Sequence, residues 1–139
     1  MGKTVTHVGP IGAGQITKAI NQIILSGTYL TVAEGLTLGM KAGLDMEKVI
    51  QAISGGAASS WVLHNRGINV LNNTYPLGFR VRLHHKDLRI ALDTAGELEV
   101  TLPATALVAQ IENGLIARGY GDDDVSAIGR TIREQSGLE

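Results

Sequence analysis

The segment between Lys18 and Lys41 constrains the fold of this chain most strongly, because Glu34 is its only charged residue. Apolar residues recur through it at helical spacing, which predicts one helix that begins near residues 12–15 and ends near Ala42. A helix that is apolar on nearly all sides belongs at the centre of a domain or in a subunit interface. Its glycines, threonines and amides are too numerous for a membrane span of about 20 residues. We therefore expect a buried central helix and no membrane partner.

Two apolar faces are expected on this central helix, as for a helix in the middle of a domain or in a subunit interface. Their spacing follows the turns of a helix rather than the alternation of a strand. The first face comprises Ile16, Ile20, Ile23, Gly27 and Leu30, and the second comprises Leu25, Tyr29, Val32 and Leu36.

Helix-start and helix-stop residues divide the rest of the chain. Asp45 and Pro103 are typical of helix starts, and Gly43 is typical of a helix end. The five further predicted helices cover residues 46–54, 61–71, 79–97, 103–118 and 125–135. No segment has a convincing strand pattern. The sequence therefore predicts an all-α domain over residues 9–135, in which about five helices pack a long central one, and a leader or artificial addition over residues 1–8.

The composition excludes several classes of function. The chain has 139 residues and no cysteine, which excludes a disulfide scaffold and a thiolate metal site. Its net charge of -1 gives no reason to expect nucleic acid or an anionic membrane as a partner. Aromatic residues make up only 4% of the chain, so we expect a core of aliphatic side chains.

The glycine-rich segment Gly9–Gly14 suggests a phosphate-binding loop but does not fit one. A Walker loop continues with Gly-Lys-Ser/Thr, whereas Gln15 follows Gly14. A Rossmann fingerprint has a third glycine where Thr17 stands. Two interpretations stay open: a flexible entry to the helix, or a helix N-terminus that receives an anionic ligand group at Gly14.

Lys18, Asn21 and Gln22 are spaced to share one face of the central helix. A lysine in this position can protonate a substrate oxygen while the two amides fix the direction of that oxygen. Burial beside apolar residues would lower the pKa of such a lysine toward neutrality. The alternative is a surface lysine whose neighbouring amides bond to loops. Spacing alone does not decide between them.

Two other polar clusters are candidates for binding. The loop Gly55–Ser60 offers backbone N–H groups to an anion, but Ser60 is equally suited to cap the next helix. The run His84–Asp87 lacks metal-ligand spacing, so we expect no metal. Lys86 is either a phosphate or carboxylate contact or part of a solvated helix face.

Three motifs together resemble a known family. They are GPIGAGQITKAINQ at 9–22, SGGAASSW at 54–61 and FRVRLHHKDLRIAL at 79–92. In this order they resemble the C-terminal helical domain of the β-hydroxyacid dehydrogenases, which include 3-hydroxyisobutyrate dehydrogenase and tartronate semialdehyde reductase and are related to 6-phosphogluconate dehydrogenase. The resemblance extends from about Gly9 to Ile132. It implies a fold like the C-terminal domain of 6-phosphogluconate dehydrogenase.

The resemblance implies roles for the candidate residues. Lys18 would be the catalytic acid/base, and Asn21 with Gln22 would orient the substrate. The pair Asn21-Gln22 resembles the tartronate semialdehyde reductase branch, since many 3-hydroxyisobutyrate dehydrogenases have two asparagines there. The remaining implied contacts are Gly55, Gly56 and Ser60 with the substrate, and Lys86 and Gly14 with the cofactor.

The implied activity is an NAD- or NADP-dependent interconversion of a short 3-hydroxyacid and its semialdehyde. Members of the family carry an N-terminal Rossmann domain that binds most of the cofactor, and this chain has no βαβ pattern. We therefore expect the chain to be inactive alone, to form a cytoplasmic homodimer through its apolar helices, and to need no metal. The alternative is a non-catalytic helical dimerisation module.

Overall fold

The computed structural model describes residues 6–139, and these form a helical domain. The helices are α1 (Ala13–Lys41), α2 (Met46–Ile53), α3 (Trp61–Asn72), α4 (Val81–Glu97), α5 (Pro103–Ala117) and α6 (Ile128–Gln135), with a 3₁₀ turn at Val125–Ala127. The described residues contain no β-strand and one isolated bridge, between Arg80 and Asp124. The predicted all-α class, with five helices around a long central one, is confirmed. Residues 1–5 of the predicted leader lie outside the described residues.

Local sequence signals set most helix ends. Asp45 accepts a hydrogen bond from the backbone N–H of Lys48 at 3.3 Å and caps α2. Ser60 caps α3 in the same way, through the N–H of Leu63 at 3.0 Å, which confirms the capping alternative for this serine. Helix α4 begins two residues later than predicted, because the backbone of Phe79 is bonded to Asp124 and Val125 instead of entering the helix.

Helix α1 lies at the centre and contacts α2, α3, α4, α5 and α6. Its buried face packs into an aliphatic core, as the composition predicts. The central members of this core on α1 and the other helices are Tyr29, Leu30, Leu36, Leu63, Leu88, Val108, Leu115 and Ile128. Helix α1 is also long and apolar enough to cross a membrane, a property that buried core helices of globular domains share.

The two apolar faces of α1 differ in burial: the second, from Leu25 to Leu36, is buried or half-buried, whereas the first is exposed at its start. Ile16, Ile20, Ile24 and Leu38 are 48%, 50%, 64% and 72% exposed, and they lie along one side of the helix. The reason is that the other helices pack against a different side of α1, where Tyr29, Ala33 and Leu36 are buried, and leave this side uncovered from Ile16 to Leu38.

We expect Gly129→Ala to destabilise the fold and Gly114→Ala to stabilise it. A Cβ at Gly129 would lie 2.8 Å from the stiff, buried side chain of Val70, so the free energy of unfolding should fall by about 1–3 kcal/mol. A Cβ at Gly114 in α5 meets no atom within 4 Å, so helix propensity should raise that free energy by about 0.5–1 kcal/mol. Urea denaturation measures both variants. Equal midpoints would contradict the close approach of α6 to α3.

We expect stability to fall at alkaline pH because of two buried tyrosines. Burial raises the pKa of Tyr29 and of Tyr75 to about 12, from 10.0. The folded state therefore keeps phenol protons that the unfolded chain loses, so this stability is complete below pH 10 and is lost as the pH rises through about 12. Each tyrosine contributes a slope of about 1.4 kcal/mol per pH unit in this range. Urea denaturation of Tyr29→Phe should show a shallower decline than the wild type, and an identical decline would contradict the assignment.

Candidate active site

The candidate site lies where the start of α1 crosses α4. Gln22 Nε2 donates a hydrogen bond to Asp87 Oδ2 at 3.0 Å, and Asn21 Nδ2 donates to Gln22 Oε1 at 2.9 Å. Lys18 Nζ lies 3.9 Å from the other oxygen of the same carboxylate, Asp87 Oδ1. The predicted trio of Lys18, Asn21 and Gln22 is therefore brought together, with Asp87 as its shared partner. We call the bonds from Asn21 through Gln22 to Asp87 the amide chain.

The carboxylate sets the direction of the amide chain. A carboxylate only accepts hydrogen bonds, so Gln22 must turn its NH₂ group toward Asp87. Its oxygen then faces Asn21, which must present its own NH₂ group in turn. Both amide orientations follow from the hydrogen-bond pattern rather than from the similar shapes of oxygen and nitrogen. The second N–H of each amide is left outside these bonds, and both amides line the groove described next.

The structure supports the surface alternative for Lys18. The Lys18 side chain is 69% exposed, while that of Asp87 is 16% exposed. A solvated ion pair at 3.9 Å contributes little to stability. Residues 13–21 at the start of α1 are exposed or half-buried, so none of the described residues encloses the Lys18 side chain. The ammonium of Lys18 therefore faces solvent, and the fold does not need it.

A groove of about 530 Å³ lies next to this trio. Its lining is Lys18, Asn21, Gln22, Leu25, Tyr29, Trp61, Arg66, Phe79 and His84, and we call it the Lys18 groove. Its volume is in the range of small-molecule sites. Trp61, Arg66 and Phe79 form the wall opposite Lys18. Arg66 and Phe79 were not predicted as site residues. The packing of α3 against α1 brings Arg66 here, and the backbone bonds of Phe79 to Asp124 and Val125 hold Phe79 at the groove.

A buried carboxylate holds the opposite wall in place. Asp124 is 0% exposed and accepts hydrogen bonds from the backbone N–H groups of Phe79 and Ser126, each at 3.0 Å. Arg66 Nε lies 3.3 Å from the same carboxylate, and the Arg66 guanidinium lies 4.7 Å from the ring centroid of Trp61. The charge of Arg66 is therefore balanced inside the wall, and its direction is fixed on two sides.

His84 lies beneath the groove instead of on the solvated helix face that was one interpretation of its cluster. His84 and Glu112 are both 0% exposed, and His84 Nδ1 contacts Glu112 Oε1. The other nitrogen, His84 Nε2, lies 3.4 Å from the backbone oxygen of Gln22. Burial raises the pKa of Glu112, and its hydrogen bond with His84 opposes that rise.

The other predicted contacts do not line the Lys18 groove. Gly14 is exposed on the first turn of α1, and Lys86 is exposed on α4 beside a neighbouring groove. Gly55 and Gly56 are exposed in the loop between α2 and α3. Ser60 lines a groove beside residues 28–36, which begin about 15 Å further along α1 than Lys18. Their binding roles stay predictions.

The chain is similar in sequence to several curated enzymes. It is 41% identical to a 2-hydroxy-3-oxopropionate reductase of Escherichia coli (strain K12) over 92% of this chain and 44% of that protein. It is 34% identical to a 2-(hydroxymethyl)glutarate dehydrogenase of Eubacterium barkeri over 99% of this chain and 46% of that protein. The chain therefore spans about half the length of these relatives.

Solved structures show the same fold. A 3-hydroxyisobutyrate dehydrogenase of Mycobacterium tuberculosis, solved with L-serine, matches with a TM-score of 0.84 at 29% identity, over 94% of this chain and 47% of that chain. The Salmonella typhimurium 3-hydroxyisobutyrate dehydrogenase matches with a TM-score of 0.76 at 30% identity, over 86% and 42%. A family model described as "NAD-binding of NADP-dependent 3-hydroxyisobutyrate dehydrogenase" matches residues 12–132. This chain therefore belongs to that family, and with it to the β-hydroxyacid dehydrogenases.

Proposed function

We propose that this chain is the C-terminal, substrate-side domain of an NAD(P)-dependent oxidoreductase. The reaction interconverts a short 3-hydroxyacid and its semialdehyde, of the 3-hydroxyisobutyrate or tartronate semialdehyde type. The observation that carries the proposal is the placement of an exposed lysine ammonium beside two directionally ordered amides at the edge of a small-molecule groove. The activities for which the relatives are named support the reaction class.

Lys18 is the proposed proton donor and acceptor. In the reducing direction it gives a proton to the carbonyl oxygen of the substrate, and in the oxidising direction it takes that proton from the hydroxyl group. Asp87, 3.9 Å from the ammonium, keeps the lysine directed across the crossing of α1 and α4. The N–H groups of Asn21 and Gln22 that lie outside the amide chain orient the same oxygen. A nicotinamide cofactor supplies or accepts the hydride when it is bound.

The charges of the residues present suit an anionic dinucleotide. Lys86 lines a groove on α4 together with Arg82 and Arg89, and cationic side chains suit the phosphates of NAD or NADP. Gly14 lies at the N-terminus of α1, where free N–H groups favour an anion. We propose that an N-terminal Rossmann domain of the same protein binds most of the cofactor. Among residues 6–139 no group of three or more possible ligands is placed to hold a metal, and the predicted absence of a metal stays a prediction.

A second candidate function is a helical dimerisation module. Its support is the row of exposed isoleucines Ile16, Ile20 and Ile24 along α1, since apolar rows of this kind commonly meet a second subunit. The two functions are compatible, and a homodimer is part of both proposals. Sedimentation velocity of the chain tests whether it dimerises. A monomer at all concentrations would contradict the proposed homodimer. The cytoplasmic location also stays a prediction.

We expect Lys18→Ala in the whole protein to lower kcat by about 10²–10⁴-fold, the usual range for a lost general acid/base. Because the Lys18 side chain is 69% exposed, Tm should stay unchanged. Steady-state kinetics with nicotinamide absorbance measures the effect. The matched control is Lys41→Ala, which removes an exposed lysine from the last turn of α1 and should leave kcat unaltered. Full turnover in Lys18→Ala would contradict the assigned role.

A further inference from the structure

The Lys18 groove lies over a buried pair of ionisable residues that the proposed proton transfer does not use. These are His84 of α4 and Glu112 of α5, both 0% exposed. His84 contacts Glu112 through Nδ1 and lies 3.4 Å from the Gln22 backbone oxygen through Nε2. One imidazole therefore joins three helices, and it does so at the residue in the middle of the amide chain.

The partners of His84 determine where its protons lie. A backbone carbonyl oxygen only accepts, so Nε2 must carry a hydrogen. The contact between Nδ1 and Glu112 Oε1 then contains one shared proton, either on the imidazole in an ion pair or on the carboxyl group in a neutral pair. Both forms have the same total charge, and in both forms Nε2–H faces Gln22. Glu112 thus fixes the tautomer that His84 needs to reach α1.

Stability alone does not account for this pair. Glu112 Oε2 has no hydrogen-bond partner among the described residues, and neither does His85 Nδ1, which lies 3.8 Å away. A buried acceptor without a partner lowers stability. Well-packed apolar residues can replace buried ion pairs without loss of stability, and often with a gain. A contribution to stability therefore does not explain why these two residues are paired here.

We propose that His84 and Glu112 are positioning residues for the reaction at Lys18, a role that depends on the proposed function. The bond from His84 Nε2 to the Gln22 carbonyl fixes α1 against α4, and Asp87 lies on the same helix as His84, three residues further on. That bond therefore sets the spacing at which Lys18 and Gln22 meet Asp87, now 3.9 Å and 3.0 Å. The ring of His84 also packs edge-on against Phe79 with centroids 6.0 Å apart, so it contacts the opposite wall of the groove.

Two variants separate a positioning role from a structural one. The double variant His84→Leu/Glu112→Met fills the same space with apolar side chains, so Tm should be retained or raised. In the whole protein its kcat should fall about 10- to 100-fold, with a much smaller change in KM, because the site is misplaced rather than lost. Glu112→Gln should keep kcat close to wild type, since the glutamine amide donates to His84 Nδ1 and leaves Nε2–H in place.

The outcomes are distinct. An unaltered kcat in the double variant overturns the proposal, and so does a Glu112→Gln variant as slow as the double variant. A second readout needs no turnover: NMR of the 139-residue chain measures hydrogen exchange of the Gln22 side-chain amide, which Asp87 protects. Exchange should accelerate in the double variant and not in Glu112→Gln, and equal rates in all three proteins overturn the positioning role. If Lys18→Ala retains turnover, the proposed function fails, while the Gln22 exchange rates still decide whether the pair orders this crossing.

Discussion

The crossing of α1 and α4 at Gln22 is the contact on which the candidate site depends. Gln22 is 6% exposed, and it bonds to α4 twice, through its side chain to Asp87 and through its backbone oxygen to His84. The buried Gln22 thus joins α1 to α4 at the edge of the groove.

Three carboxylates each hold one charged or ionisable side chain that lines the groove. Asp87 faces Lys18, Asp124 faces Arg66, and Glu112 faces His84. Each lies on a different element from its partner, so every pair joins two parts of the chain. The exposed pair at Lys18 leaves its ammonium accessible to a ligand, whereas the buried pairs fix the floor and the far wall. The solvated charge therefore lies at the edge of the groove, and the buried charges support its floor and wall.

The sequence predicted the helices well because their ends depend on local signals, such as the caps at Asp45 and Ser60. It also placed Lys18, Asn21 and Gln22 together, since helical spacing is a local property. It did not show that Ile16 is exposed or decide between the two alternatives for Lys18, because apolar periodicity reports the character of a face and not which neighbours cover it. Arg66 was missed as a site residue, and His84 was not assigned to the core. Their positions depend on how α3, α4 and α5 pack against α1, contacts between residues far apart in the sequence.

The direction of the amide chain determines how many orientations the Asn21 and Gln22 amides can adopt. An amide side chain has two orientations of nearly equal shape, so two neighbouring amides offer several combinations. Asp87 selects one of them, because its carboxylate has no hydrogen to donate. A neutral amide at this position would allow the chain to run in either direction, and the groove would present a mixture of donor and acceptor patterns. The negative charge of Asp87 on α4 thereby selects one orientation for both amides on α1. Every molecule in the population then presents the same pattern of donors and acceptors to a ligand.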